Sequence, residues 1–196
     1  MFREYASLRF VPLQTVSGVR IAPVIRPERI TLDSPAPLVM TDFRRTAAAT
    51  IEPEDGVAFA QDYMRRRGVR ALLVTDPDGE VTGILTSTDL LGEKPIKFML
   101  DYAVKRDEIR VSDLMTPRAR LELLVYEEVR QARVGHIVAT LNEAGRQHFL
   151  VGEHDAEGER VRGIFSLSQI ARQLGIDLQP NTFAHTFAEI EAALRD

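Results

Sequence analysis

Apolar positions along the chain fall into short extended runs and short helical stripes, and one order of these elements recurs. Residues 47–51 form a brief apolar run closed by Pro53-Glu54-Asp55-Gly56, the pattern of a strand. Val57, Ala60, Tyr63 and Met64 then follow helical spacing. That helix is expected to end at Arg65-Arg66-Arg67-Gly68, with cations in its last turn and glycine as a left-handed cap. Residues 71–75 read as a buried strand, Asp76-Pro77-Asp78-Gly79 as a hairpin turn, and residues 81–85 as the partner strand. Thr86 opens a second helix. The same order returns with a strand at 121–125 and a helix carrying Val129, Arg133, Ile137 and Leu141 along one side, ending near Gly145. A hairpin of Phe149-Leu150-Val151 with residues 161–165 follows, its turn longer than in the first copy, and residues 168–174 close the unit.

The two passes align between their elements as well, Gly68-Val69-Arg70-Ala71-Leu72-Leu73-Val74 against Gly145-Arg146-Gln147-His148-Phe149-Leu150-Val151. An internal repeat of this size makes the fold a mixed α+β (α/β) one, two β-α-β-β-α modules rather than one large domain. The expected division is an N-terminal extension at 1–37, a first module at 38–97, a linker helix at 98–110, a second module at 111–176 and a C-terminal helix at 177–196. Prolines at 12, 23, 27, 35 and 37 break up the extension. Its Phe2, Tyr5, Leu8, Phe10 and Val11 are too apolar for a free tail, so it should wrap onto the body or a second subunit. Across residues 93–110, spanning the end of the first module and the linker, Ile96, Met99, Leu100 and Ala103 share one expected helical face. Phe183, Phe187, Ile190 and Leu194 form one stripe of an amphipathic C-terminal helix, which docks on its own module or on another subunit or protein.

One motif occurs in both modules. Gly83-Ile84-Leu85-Thr86-Ser87-Thr88-Asp89 corresponds to Gly163-Ile164-Phe165-Ser166-Leu167-Ser168-Gln169. Each copy has a glycine, two apolar strand residues, a hydroxyl, and an acceptor three positions on. That spacing is a helix capping box, in which the hydroxyl accepts from the third helical N–H and the third side chain accepts from the cap N–H. It also puts hydroxyl and acceptor on one helical turn, where they could face a common ligand. Capping does not require the glycine.

Composition narrows the chemistry. With 44% hydrophobic and 28% charged residues the chain can bury an ordinary core, and a net charge of −4 argues against nucleic acid as a general partner. There is no cysteine, which excludes disulfides and thiolate chemistry. No apolar run approaches the ~20 residues of a membrane helix, and charges interrupt the N-terminal apolar positions, so the expectation is a soluble cytoplasmic protein without membrane contact. No nucleophile or phosphate-binding motif is present, and His136, His148, His154 and His185 lack metal spacing, which points away from an enzyme or a metal site.

The order of elements, the repeated glycine–hydroxyl–acceptor motif, and Val111-Ser112-Asp113-Leu114-Met115-Thr116-Pro117 leading into the second module together resemble a tandem pair of CBS domains. The resemblance covers about residues 38–176 and implies two modules packed by pseudo-two-fold symmetry around two clefts. It also implies a homodimer and, as ligand, an adenosine-containing molecule such as AMP, ADP, ATP or S-adenosylmethionine, with no cofactor required. Carried onto this chain, Asp89 would accept from the ribose hydroxyls and Thr86 would donate to a phosphate or sugar oxygen. The backbone at Val69, Arg70 and Ala71 would meet the adenine edge, with Thr50 and Ile51 lining the same cleft. Ser166 and Gln169, with Arg118, Arg120 and His148, would form a second, weaker cleft. Arg118 and Arg120, with Arg44 and Arg45 at the matching point of the first module, are the candidates for phosphate charge. A charged acceptor contributes about 1.5–3 kcal/mol against roughly 1 for a neutral one. Gln169 should therefore bind about tenfold more weakly than Asp89. Val39-Met40-Thr41-Asp42 lacks the full form of the later Asp113-to-Pro117 segment. Two functions fit: a sensor whose ligand alters dimer geometry or an unknown protein partner, or a structural dimerisation module with vestigial clefts whose C-terminal helix recruits that partner.

Overall fold

The computed structural model describes residues 29–156 and 158–176, with a few single positions before them. The C-terminal stripe of Phe183, Phe187, Ile190 and Leu194 and the apolar residues Phe2, Tyr5, Leu8, Phe10 and Val11 lie outside the described residues. A 3-10 turn at Ala36–Val39 leads into β1 (Thr41–Asp42) and β2 (Thr50–Ile51). Helix α1 (Val57–Arg67), strands β3 (Ala71–Thr75) and β4 (Val81–Thr86) and helix α2 (Ser87–Leu91) complete the first pass. Helices α3 (Lys94–Tyr102) and α4 (Val111–Leu114) and strand β5 (Thr116–Pro117) connect it to the second. That pass consists of β6 (Leu123–Val125), α5 (Tyr126–Gln131), α6 (Val134–Glu143), β7 (His148–Asp155), β8 (Gly158–Ser166) and α7 (Leu167–Gln173). None of the described helices is long and apolar enough to cross a membrane.

The strands form two four-stranded sheets, ordered β2-β3-β4-β5 and β1-β8-β7-β6. Alternation along each strand assigns its side chains to two layers. In β3, Leu72 and Val74 face the helices α1 and α2 while Leu73 faces the other sheet; in β7, Phe149 and Val151 face helices while Leu150 faces inward. Leu73 and Ile84 from one sheet thus meet Leu150 from the other in a central apolar layer. Both faces of these strands are covered, which is why they read as continuous apolar runs.

The edge strands do not stay with their own modules. β1 precedes the first pass but pairs antiparallel with β8, Thr41 opposite Ile164 and Asp42 opposite Gly163. β5 precedes the second pass but pairs with β4, Pro117 opposite Gly83 and Thr116 opposite Ile84. The motif glycines permit this. A Cβ on Gly83 would stand 2.7 Å from the Thr116 carbonyl oxygen and 2.8 Å from Met115 Sδ. On Gly163 it would stand 2.6 Å from the Thr41 carbonyl oxygen and 3.0 Å from Met40 Sδ. Around β1 a buried charge network adds a second tie. Arg162, only 9% exposed, pairs with Asp42 of β1, and its Nε lies 3.3 Å from Glu153 of β7. Its guanidinium covers the Tyr126 ring at 4.8 Å, and Arg44 reaches Glu153 at 2.8 Å.

Helix α1 ends as its sequence requires, with Gly68 at φ 64° and the Val69 N–H donating back to the Met64 carbonyl at 3.0 Å. Other elements differ from the sequence pattern. The strand expected at 47–51 is paired only at Thr50–Ile51, because the chain before it turns off the sheet to line a cleft. The strand expected at 121–125 starts at Leu123, since a 3-10 turn at Arg118–Arg120 occupies the preceding residues. The single helix through Val129, Arg133, Ile137 and Leu141 is two helices, broken at Ala132 and Arg133, both extended. Residues of the N-terminal extension fill the break. Ala36 donates to the Ala132 carbonyl, and Val134 and Gly135 donate to the carbonyls of Ser34 and Leu32, each at 2.9 Å. Ile30 and Leu32 pack against the core beneath. The inward face of α3 is set one position from the expected one: Phe98 and Met99 touch the core, while Ile96 and Leu100 are 58% and 78% exposed. Ala103 ends that helix at φ 52°. The extra residues of the second hairpin extend its ladder out to Asp155 opposite Gly158 instead of lengthening the turn.

Gly83→Ala and Gly163→Ala should each destabilise the protein by about 1–3 kcal/mol, because backbone rather than a flexible side chain occupies the space. Asp42→Ala, which leaves the buried Arg162 guanidinium without its partner on β1, should cost about 3 kcal/mol. Urea unfolding curves measure all three, and values near zero would remove the edge strands from the stability argument.

Candidate functional site

Because the edge strands are exchanged, each cleft is built from both modules. The smaller, of about 280 Å³, lies between the start of α2 and the turn before β7. Its walls include Thr86, Thr88 and Asp89 on one side and residues 145–148 on the other, with Thr116 and Arg120 at one end. The larger, of about 390 Å³, is its pseudo-symmetric counterpart. Residues 66–73 face Ser166, Ser168, Gln169 and Arg172 across it, with Thr41 in the position that Thr116 takes in the other.

The repeated motif is used differently at its two copies. Thr86 and Asp89 form the full capping box: Asp89 Oδ2 accepts from the Thr86 N–H at 2.8 Å and from Thr86 Oγ1 at 2.6 Å, while the Asp89 N–H donates to Thr86 Oγ1 at 3.3 Å. The other carboxylate oxygen pairs with Lys94 Nζ, which also donates to the Leu114 carbonyl at 3.3 Å. Asp89 is 7% exposed. The capping box expected at Ser166 and Gln169 does not form. Ser166 Oγ lies 3.1 Å from Ser168 Oγ and makes no cap bond, and Gln169 Oε1 accepts from Thr41 Oγ1 at 3.1 Å. The glutamine reaches the exchanged strand instead of its own helix terminus.

The residues assigned to one cleft from the sequence are thereby divided between two. Thr86 and Asp89 line the smaller cleft, whereas Val69, Arg70 and Ala71 line the larger one with Ser166 and Gln169. Ile51 is buried in the core of the first module, and exposed Thr50 lies in a separate groove beside Phe43 and Leu73. Arg120 lines the smaller cleft, across the molecule from Ser166 and Gln169. Arg118 is outside both, exposed and 3.2 Å from Glu80. Arg44 is tied to Glu153, and Arg45 is exposed and lines neither cleft. The cations of the larger cleft are Arg66, Arg67, Arg70 and Arg172. The arginine run ending α1 carried that signal in the sequence, but its fit as a helix terminus accounted for it there.

His148 is the one described residue in the walls of both clefts, and it stands opposite Ser166 on the neighbouring strand. Burial, and then the nearby Arg70 charge, lower its pKa from 6.5 to about 4, against an opposing pull from Asp89. The imidazole is therefore neutral at pH 7. No group of three or more His, Cys, Asp or Glu among the described residues could hold a metal ion.

Residues 39–95, which include the first motif and the elements from β1 to α2, match the CBS domain family. This segment is similar to a CBS domain. The second module shares its architecture, and the whole has the fold of a CBS-domain pair. The structure is similar to that of an uncharacterised conserved protein from Pyrococcus horikoshii, 23% identical, with a TM-score of 0.54 over 76% of this chain and 98% of that one. It is also similar to an Arabidopsis thaliana CBS-pair protein solved in complex with AMP, 21% identical, with a TM-score of 0.51 over 71% and 94% of the two chains. A CBS domain protein of unknown function from Thermoplasma acidophilum is 20% identical, with a TM-score of 0.50 over 80% and 77%. No curated protein sequence matches the chain.

The depressed His148 pKa sets a pH window. Between about 4 and 6.5 the unfolded chain binds the proton that the folded protein does not, so this contribution is complete above 6.5 and declines as the pH falls toward 4. Denaturant stability measured at pH 7.5 and at pH 4.5 should fall further in the natural protein than in His148→Gln. An equal fall in both would show that the imidazole is not held neutral.

Proposed function

We propose that this CBS pair is a cytoplasmic regulatory module, not an enzyme, that binds an adenosine-containing ligand in the Asp89 cleft. The observation that carries the reading is the acceptor count at Asp89. A carboxylate offers about four acceptor positions. Three are taken, by the Thr86 N–H, the Thr86 hydroxyl and Lys94. The fourth is available to one ribose hydroxyl, and displacement of Lys94, whose side chain is half exposed, would make room for the second. Across the cleft the pseudo-symmetry replaces residues 69–71 with residues 146–148 as the backbone facing an adenine edge. Ile84, Leu121 and Leu150 supply apolar surface for the faces of a base. The AMP complex of the Arabidopsis relative supports this ligand class. The response is a change in the geometry of a homodimer or of a protein partner, which requires the ligand to bind two conformations with different affinity.

A thermal-shift series with AMP, ADP, ATP and S-adenosylmethionine tests the proposal on the natural protein and on Asp89→Asn. A ligand at one hundred times its Kd stabilises the fold by about 2.7 kcal/mol, a readily measured rise in Tm. At least one ligand should produce it, with about tenfold weaker binding in Asp89→Asn, where a neutral amide replaces the charged acceptor. No rise with any of them on the folded natural protein would leave Asp89 as a helix cap and favour the structural dimerisation module instead.

A further inference from the structure

A third concavity, separate from both clefts, lies across the pseudo-two-fold at the hairpin end of the sheets. It has a volume of about 670 Å³, and none of Thr86, Asp89, Ser166 and Gln169 lines it. Leu73 and Leu150 of the central apolar layer form its floor, with Phe43, Leu121 and Val161 around them. The outer strands of the two sheets supply Thr50 and Leu123, which are counterparts, since Thr50 pairs with Leu73 and Leu123 with Leu150. The halves differ there. On β2 the exposed residue is Thr50, whereas on β6 Leu123 and Val125 are 43% and 55% exposed. An outer strand with exposed apolar side chains and no charge of its own favours pairing with further chain. The roots of both hairpins form the rim of the groove, and the hairpins are acidic. Asp76, Asp78 and Glu80 stand in one, Asp155 and Glu159 in the other, against Arg118 and Arg160.

The chain holds a segment of complementary character. Residues 1–28 carry Phe2, Tyr5, Leu8, Phe10 and Val11 with further apolar positions, and arginines at 3, 9, 20 and 26 outweigh glutamates at 4 and 28. Prolines at 12, 23 and 27 argue against a long helix or a central strand there, but they allow extended chain at a sheet edge. The segment enters the body on the module that carries β6, where Ile30 and Leu32 pack on the same core as Leu124 and Tyr126. Within one chain, segment and groove stay apart. Leu13 and Ile21 are 70% and 98% exposed, and no described residue before Phe43 lines the groove. We propose that the groove is an interface between two copies of this chain, in which residues 1–28 of one copy lie along β6 and the groove of the other. The exchange is reciprocal, so it closes as a two-fold dimer. It covers Leu13 and Ile21 together with Leu123 and Val125, and it sets the arginines of the segment against the acidic hairpins. Because the groove spans both sheets, its occupant touches both modules. The interface does not rest on a ligand in the Asp89 cleft, although it supplies the homodimer invoked there.

The chain has no cysteine of its own, so introduced thiols report the arrangement directly. Ile21→Cys and Thr50→Cys, both at exposed positions, are prepared as separate full-length proteins, one with a mass tag, and as a double variant in one chain. The two single variants are mixed and treated with a short bis-maleimide, and cross-links should join tagged to untagged chains. Sedimentation equilibrium should find the natural protein dimeric. Leu13→Asp/Ile21→Asp and Leu123→Asp should each weaken the dimer at least tenfold, whereas Leu91→Asp, exposed on α2, should leave it unchanged. The first of these variants alters only exposed positions, so its effect does not depend on the folding of the body. A monomeric natural protein, a dimer that withstands both the segment and the groove variants, a dimer lost only in Leu91→Asp, or the absence of cross-links would overturn the interface. Cross-links confined to single chains of the double variant would seat the segment on its own groove and overturn the exchange. A dimer that passes these tests but does not respond to adenosine-containing ligands would uphold the interface and count only against the function proposed above.

Discussion

Two strands cross from one half of the chain into the sheet of the other, and they can approach because Gly83 and Gly163 have no side chain. The missing Cβ atoms let the carbonyls of Thr116 and Thr41 lie where any other residue would collide with them. Each crossing completes a four-stranded sheet, and each places a threonine at the end of a cleft. The central layer of Leu73, Ile84 and Leu150 then holds the two sheets face to face. Position and shape of both clefts therefore follow from backbone contact at two glycines more than from the polar residues within them.

Much of this arrangement was legible in the chain. The continuous apolar runs at 71–75 and 149–151, the cap at Gly68 and the hairpin turn before Val81 gave the module order from local physics alone. The Thr86 capping box was likewise readable, because both of its partners lie within four residues. Features governed by distant contacts were not. Nothing local to Ala132 and Arg133 breaks the helix; residues 32–36, a hundred positions earlier, supply hydrogen bonds that replace those lost. The packing of Phe98 beside the expected Met99, with Ile96 and Leu100 left exposed, depends in the same way on where α3 meets the first core.

The candidate site shows the same division more sharply. Each polar residue of the motif was found by its spacing, but its cleft could not be assigned without knowing that the edge strands are exchanged. Residues 69–71 and Asp89 are near neighbours in one module and yet line different clefts. Glutamine at 169 was read as a weaker version of aspartate at 89. In the structure it is a different contact altogether, holding Thr41 of the crossing strand while Asp89 holds Thr86 and Lys94. One copy of the motif secures its own helix and the other secures the junction between halves.

The exchange also bears on how such a chain could have arisen. Each half carries one strand that its own sheet does not use and one sheet edge that its own strands do not fill. A single ancestral unit of this design could satisfy both only by trading strands with a second copy of itself, as a symmetric dimer with two identical clefts. Joining the copies in one chain frees each half to change separately. An aspartate can then remain at 89 while 169 becomes glutamine, and one cleft can lose every lining carboxylate while the other keeps Asp89 and Glu122 beside its arginines, divergences that an identical pair could not have kept apart.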